Sequence, residues 1–155
     1  MELKPGDKAP KFRLAADGGG EVSSTSLKGR PYVLYFYPKD DTSGCTREAI
    51  GFSESLKKFE ARAVAVIGVS KDSAASHDRF KTKYKLKIAL ASDPETKTAA
   101  DYGVWVEKSM YGRKYMGMER ATFLVDANGV IRNVWRKVKV DGHVDEVLAA
   151  AKKLA

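Results

Sequence analysis

Residues 32–37, Tyr-Val-Leu-Tyr-Phe-Tyr, form an unbroken apolar, aromatic and β-branched run closed by Pro31 on one side and Pro38 on the other. The run lacks the alternation of a half-exposed strand, so it reads as a strand buried on both faces. A second run, Ala63-Val64-Ala65-Val66-Ile67-Gly68-Val69, has the same character. Between them Ala49, Phe52, Leu56 and Phe59 recur at spacings of 3, 4 and 3, which is one face of an amphipathic helix. Strand, helix and strand within about forty residues make a βαβ unit, whose crossover is right-handed and whose strands are parallel.

The alternation continues. A helix is expected from about Ser73 to Tyr84, capped by Asp72 or Ser73, then a short strand near Ile88–Ala91 and a helical turn after Pro94. Residues 121–125 and 130–135 flank Asp126-Ala127-Asn128-Gly129, a hairpin signal because Asn-Gly supplies the positive φ of a tight turn. A last helix is expected from about His143 to Leu154, with Val144, Val147, Leu148 and Ala151 on its apolar face. Phe12–Leu14 and Glu21–Ser23 flank Asp17-Gly18-Gly19-Gly20 and read as an N-terminal β-hairpin. The expected fold class is α/β, a mixed sheet between helices.

At roughly 100–200 residues per domain, 155 residues point to one domain over 1–155. No apolar run reaches the roughly 20 residues of a membrane-spanning helix, and Met1-Glu2-Leu3-Lys4-Pro5 lacks the apolar stretch of a signal peptide. A soluble, cytoplasmic protein is expected. The net charge of +8 is spread over the whole chain; its densest stretch, Arg79, Lys81, Lys83, Lys85 and Lys87, reads as a solvated surface rather than a nucleic-acid site. One cysteine excludes an intrachain disulfide and a cysteine-based metal cluster. Any cysteine chemistry must therefore involve a second molecule.

That cysteine, Cys45, falls after the first buried strand and in the first turn of the following helix. In open α/β sheets the ground beyond the carboxyl ends of the strands is the usual ligand site. A helix start offers unpaired N–H groups and partial positive charge, which favour a thiolate. Against this, a lone cysteine also serves as a small buried hydrophobe. Pro38 can shield the sulfur from water, and Thr42 can cap the helix or hydrogen-bond a sulfur or bound oxygen. Asp40 and Asp41 read as solvated loop charges, since no histidine lies near them in sequence to complete a metal or acid/base site. Arg120 begins an expected central strand, where a planar guanidinium can hold a thiolate and a bound oxygen together.

Pro38-x-x-x-Thr42-x-x-Cys45 resembles the active-site motif of peroxiredoxins, and Tyr-Pro-Lys-Asp-Asp-Thr-x-Gly-Cys-Thr resembles its form in the bacterioferritin comigratory protein, or peroxiredoxin Q, subfamily. The likeness extends over Gly6-Asp7-Lys8-Ala9-Pro10-Lys11-Phe12, Leu27-Lys28-Gly29-Arg30, Val69-Ser70-Lys71-Asp72-Ser73 and Arg120-Ala121-Thr122-Phe123-Leu124-Val125-Asp126. It implies a thioredoxin-like fold and thiol-dependent reduction of hydrogen peroxide and organic hydroperoxides, with no cofactor or metal. Carried over by position, Cys45 is the peroxidatic cysteine, Thr42 and Pro38 shape its pocket and Arg120 faces the sulfur.

Two departures stand out. Subfamily members place a resolving cysteine where this chain has Ile50 or Lys81, and the proline common before Gly-Cys is Ser43. An external thiol, from glutathione, glutaredoxin or thioredoxin, is then required, and a monomer or weak dimer without membrane or nucleic-acid partners is expected. His77 and His143 read as surface or capping residues. Trp105, Tyr111, Tyr115, Met116 and Met118 fall in the least regular part, 101–119, as a mobile rim of the pocket or as packing under a loop. The competing reading is a non-catalytic thioredoxin-fold binding or holdase module; a disulfide oxidoreductase is disfavoured because no Cys-x-x-Cys is present.

Overall fold

The computed structural model describes residues 2–154. Its elements run β1 (Arg13–Ala16), β2 (Glu21–Ser23), β3 (Tyr32–Phe36), α1 (Ser43–Glu54), α2 (Leu56–Glu60), β4 (Ala65–Ser70), α3 (Ala74–Tyr84), β5 (Ala89–Ser92), α4 (Lys97–Asp101), β6 (Trp105–Met110), β7 (Arg113–Met118), β8 (Ala121–Val125), β9 (Ile131–Trp135) and α5 (His143–Lys152). Seven strands form one mixed sheet in the order β2-β1-β5-β4-β3-β8-β9. β3, β4 and β5 run parallel, and β8 pairs antiparallel with β3.

Burial on both faces follows from the alternation of side chains along β3. Tyr32, Leu34 and Phe36 enter one core with Phe12, Tyr102, Val104 and Phe123, whereas Val33, Tyr35 and Tyr37 enter the other with Phe52, Phe59, Phe80 and Val147. Gly68 of β4 is needed where it stands, because a Cβ there would lie 2.6 Å from the Tyr35 ring.

Several expectations change in detail. The helix drawn through residues 49–59 is two pieces, broken at Ser55, whose N–H still reaches back to the Gly51 carbonyl. Residues 105–118, expected to be irregular, form a two-stranded antiparallel hairpin, β6–β7. Its turn consists of Tyr111 and Gly112, both at positive φ, and Met110, Tyr111, Tyr115 and Met116 are exposed around it. Trp105 and Met118 instead pack at its base. In the β8–β9 turn only Gly129 has positive φ; Asp126 organises the rest by accepting from the N–H groups of Asn128 and Val130. The basic stretch is partly paired, Lys81 with Asp17 and Lys83 with Asp41.

Candidate active site

Antiparallel pairing of β3 with β8 sets Phe36 opposite Ala121, so the residue before β8, Arg120, arrives where β3 ends and the loop to α1 begins. This is the carboxyl-end side of β3, β4 and β5, where α/β sheets place their ligands. Cys45 is the third residue of α1 and is only 1% exposed. Ser43, Gly44 and Cys45 precede the first intrahelical bond, from the Thr46 N–H to the Thr42 carbonyl at 2.8 Å, so their N–H groups face the helix entrance.

Arg120 bridges two groups of α1. Its Nη2 donates to Cys45 Sγ at 3.2 Å and its Nη1 to Glu48 Oε1 at 2.7 Å. The approach is tight, since a Cβ on Gly44 would lie 3.1 Å from Nη2. Glu48 is one turn beyond Cys45 and wholly buried, and its second oxygen, Oε2, has no hydrogen-bond partner. Burial raises its carboxyl pKa from 4.5 to about 7, although the Arg120 charge and hydrogen bond pull the other way. The sequence reading missed Glu48. The signal was an acid inside the apolar stripe Cys45, Ala49, Phe52.

Thr42 occupies the N-cap position in extended conformation, but its hydroxyl makes no capping bond and donates to the Lys39 carbonyl at 2.8 Å. With its proton so committed, Oγ1 is left as an acceptor. Ser43 fills the first helical position, where a proline also fits because that N–H has no helical partner. Pro38 is half-buried just after β3.

Three expected surface groups are in the interior. Asp40 is buried rather than solvated: Oδ1 accepts from the Tyr37 hydroxyl at 2.6 Å, and Oδ2 accepts from the Ser76 hydroxyl at 2.7 Å and faces His77 Nδ1 at 2.7 Å. His77 is fully buried in α3 and turns Nε2 to the Ala91 carbonyl at 2.9 Å. His143 opens α5 as a buried residue with Nε2 2.7 Å from the Thr122 hydroxyl. Burial, and then the Arg120 charge, lower its pKa to about 4, so it is neutral at pH 7. Both histidines belong to apolar stripes, His77 with Phe80 and His143 with Val147 and Ala151, which is the pattern that identifies them as interior. Asp41, by contrast, lies at the surface as expected, bonded to Lys83 and Tyr84.

Cys45 Sγ thus sits at a helix start with a guanidinium donor on it, so hydrogen-bond donors converge on the sulfur. The family model described as AhpC/TSA matches residues 5–134. The chain is 51% identical to a putative peroxiredoxin bcp of Coxiella burnetii over 96% of its own length and 98% of the relative's. It is 44% identical to peroxiredoxin Bcp of Bacillus subtilis over 100% and 99%. Among solved structures it resembles the Xanthomonas campestris bacterioferritin comigratory protein described for alkyl peroxide reduction, with TM-score 0.87, 41% identity and 91% and 90% of the two chains covered.

Proposed function

The chain belongs to the AhpC/TSA family and is a thiol-dependent peroxidase of the peroxiredoxin Bcp type, and from that premise we propose that Cys45 is its peroxidatic sulfur. The supporting observation is the 3.2 Å bond from Arg120 Nη2 to Cys45 Sγ at the start of α1. The Cys45 thiolate attacks the terminal oxygen of the hydroperoxide. The S–O bond forms as the O–O bond breaks, the displaced oxygen leaves as water or alcohol after taking a proton, and the cysteine becomes a sulfenic acid.

Arg120 and the free N–H groups of the first turn stabilise the negative charge carried by the parting oxygens. Thr42 Oγ1, an acceptor here, takes the hydrogen bond of the peroxide O–H and so selects which oxygen faces the sulfur. Pro38 borders the pocket on the β3 side. Organic hydroperoxides are substrates alongside hydrogen peroxide, a reading supported by the alkyl peroxide chemistry of the Xanthomonas campestris relative.

The recycling thiol comes from outside, because Cys45 is the one cysteine of the chain. Glutathione, glutaredoxin or thioredoxin fills that role: its thiolate attacks the sulfenic sulfur, releasing water and leaving a mixed disulfide, which a second thiol reduces back to Cys45. The enzyme acts as one domain in the reducing cytoplasm, as a monomer or weak dimer. Its largest exposed apolar side chains, among the described residues, are the four around the β6–β7 turn. Intact-mass measurement tests the cycle: one equivalent of peroxide followed by glutathione adds a single glutathione, and Cys45→Ser adds none and consumes no peroxide. A dominant disulfide-linked dimer would overturn the small-thiol route.

A further inference from the structure

The reaction above leaves a buried, fully hydrogen-bonded acid–base pair unused. Asp40 and His77 touch neither the sulfur nor its arginine, yet they are buried more completely than Arg120. The His77 ring stands between two oxygen atoms, an Asp40 carboxylate oxygen 2.7 Å from Nδ1 and the Ala91 carbonyl 2.9 Å from Nε2. Burial works against the Asp40 charge, but the bonds from His77, Tyr37 and Ser76 outweigh it and hold the carboxyl below its usual range.

The pair joins separate parts of the sheet edge. Asp40 lies on the loop from β3 to α1, Ser76 and His77 on α3, and Ala91 on β5. The Asp40 backbone is held too, its N–H donating to Asp72 Oδ2 at 2.8 Å, and Asp72 in turn accepts from the Ser70 hydroxyl at 2.7 Å. This fixation falls where the chain needs it. The next residue, Asp41, has φ +59, a conformation that costs a residue with a side chain energy and persists only where the surroundings impose it. Thr42 then returns to extended backbone and α1 begins. The direction in which α1 leaves the loop, and hence where Cys45 Sγ meets Arg120, is set within these few residues.

We infer that Asp40 and His77 are a positioning pair for the peroxidatic cysteine: by tying the loop to α3 and β5 they hold the first turn of α1 so that Cys45 stays buried against Arg120. The inference rests on the reading of Cys45 given above, and it makes a demand that a purely stabilising pair would not. Releasing the loop should make the sulfur easier to reach and at the same time worse at its reaction. Reach depends on local opening, whereas peroxide reduction depends on several groups converging on one atom. Placement, rather than the charge of the pair, is the quantity at stake. An asparagine at position 40 can keep it, donating its amide N–H to a neutral His77 while its oxygen still accepts from Tyr37.

Two second-order rates on the full-length protein at 25 °C test this, peroxide reduction and alkylation of Cys45 by neutral iodoacetamide. In His77→Ala and Asp40→Ala the peroxide rate should fall by roughly tenfold or more, within the range expected for misplacement of a reacting group. The alkylation rate should rise several-fold. Asp40→Asn should keep both rates near the native values. Ser76→Ala removes one of the three side-chain donors and should shift both rates in the same opposed directions, but less; it carries the test should either alanine variant fail to fold. Native peroxide and alkylation rates in His77→Ala, with only a lower melting temperature, would reduce the pair to stability and overturn the inference. So would a fall of both rates together, or an Asp40→Asn variant as impaired as Asp40→Ala. Failure of the underlying reading looks different: native protein and Cys45→Ser would consume peroxide equally, while the alkylation rates would still report whether the pair places the sulfur.

Discussion

Two buried acids, Asp40 and Glu48, lie on either side of Cys45 in the sequence, and they are held in opposite ways. On the α3 side, Asp40 has both carboxylate oxygens satisfied by donors from Tyr37, Ser76 and His77. On the β8 side, Glu48 gives one oxygen to Arg120 and leaves the other without a partner. Both acids are buried, yet Asp40 is held below its ordinary pKa and Glu48 is raised to about 7. Burial penalises both charges. The number of donors decides which carboxylate withstands it. The saturated pair touches neither the sulfur nor Arg120, whereas the undersatisfied acid shares its arginine with Cys45 Sγ.

The largest effect should come from breaking the saturated pair. His77→Ala leaves a buried carboxylate short of a hydrogen-bond partner and opens a cavity beside it, which together typically cost about 3–5 kcal/mol. Urea unfolding measures it, and a loss below about 1 kcal/mol would place the pair with weak surface contacts. Arg120→Met should leave the fold intact and slow peroxide reduction by roughly a hundred- to a thousandfold, the usual effect of removing one oxyanion donor. A native rate in stopped-flow assays would remove Arg120 from the site.

The next effect depends on pH and separates the two acids. Glu48 binds its proton more tightly in the folded than in the unfolded chain, since its pKa rises from 4.5 to about 7. Its contribution to stability is therefore greatest below the unfolded value and is lost as pH rises from about 4.5 through about 7. The whole loss is at most about 3 kcal/mol at 1.36 kcal/mol per unit. Between pH 5 and pH 8 the stability of Glu48→Gln should accordingly improve relative to native protein; a gap that stays constant would show that Glu48 holds no extra proton. Asp40 has the opposite sign, giving stability that is present above the unfolded pKa and lost only as pH falls through its depressed folded value. The smallest effect is expected one residue along. Asp41→Asn breaks an exposed contact with Lys83 and Tyr84 and should leave both stability and peroxide rate unchanged within error.

Much of this site was legible before any coordinates. Cys45 stood out as the lone cysteine at a helix start, and Arg120 as a charge at the edge of a buried strand. Asp40 looks like a solvated acid, and Glu48 draws no reading, because their partners come from elsewhere in the chain, His77 being 37 residues beyond Asp40 and Arg120 72 residues beyond Glu48. The β6–β7 hairpin escaped for a different reason. Exposed on both sides along much of its length, it shows no apolar alternation, and its turn residues Tyr111 and Gly112 lack the Asn-Gly signature.

The sequence by itself determined the βαβ frame, the strands buried on two faces and the placement of the sulfur after β3, because these depend on local apolar periodicity and on groups close together in the chain. Only the tertiary structure decided that Asp40 is held below and Glu48 above the usual carboxylate range, that His143 is neutral at pH 7, and what faces Cys45. Those properties depend on how many donors reach a buried atom, and the donors are delivered by strand register and helix packing between distant segments. One observation shows the difference: His77 and His143 both lie in the first turn or so of amphipathic helices, yet one meets a carboxylate and the other a hydroxyl near an arginine.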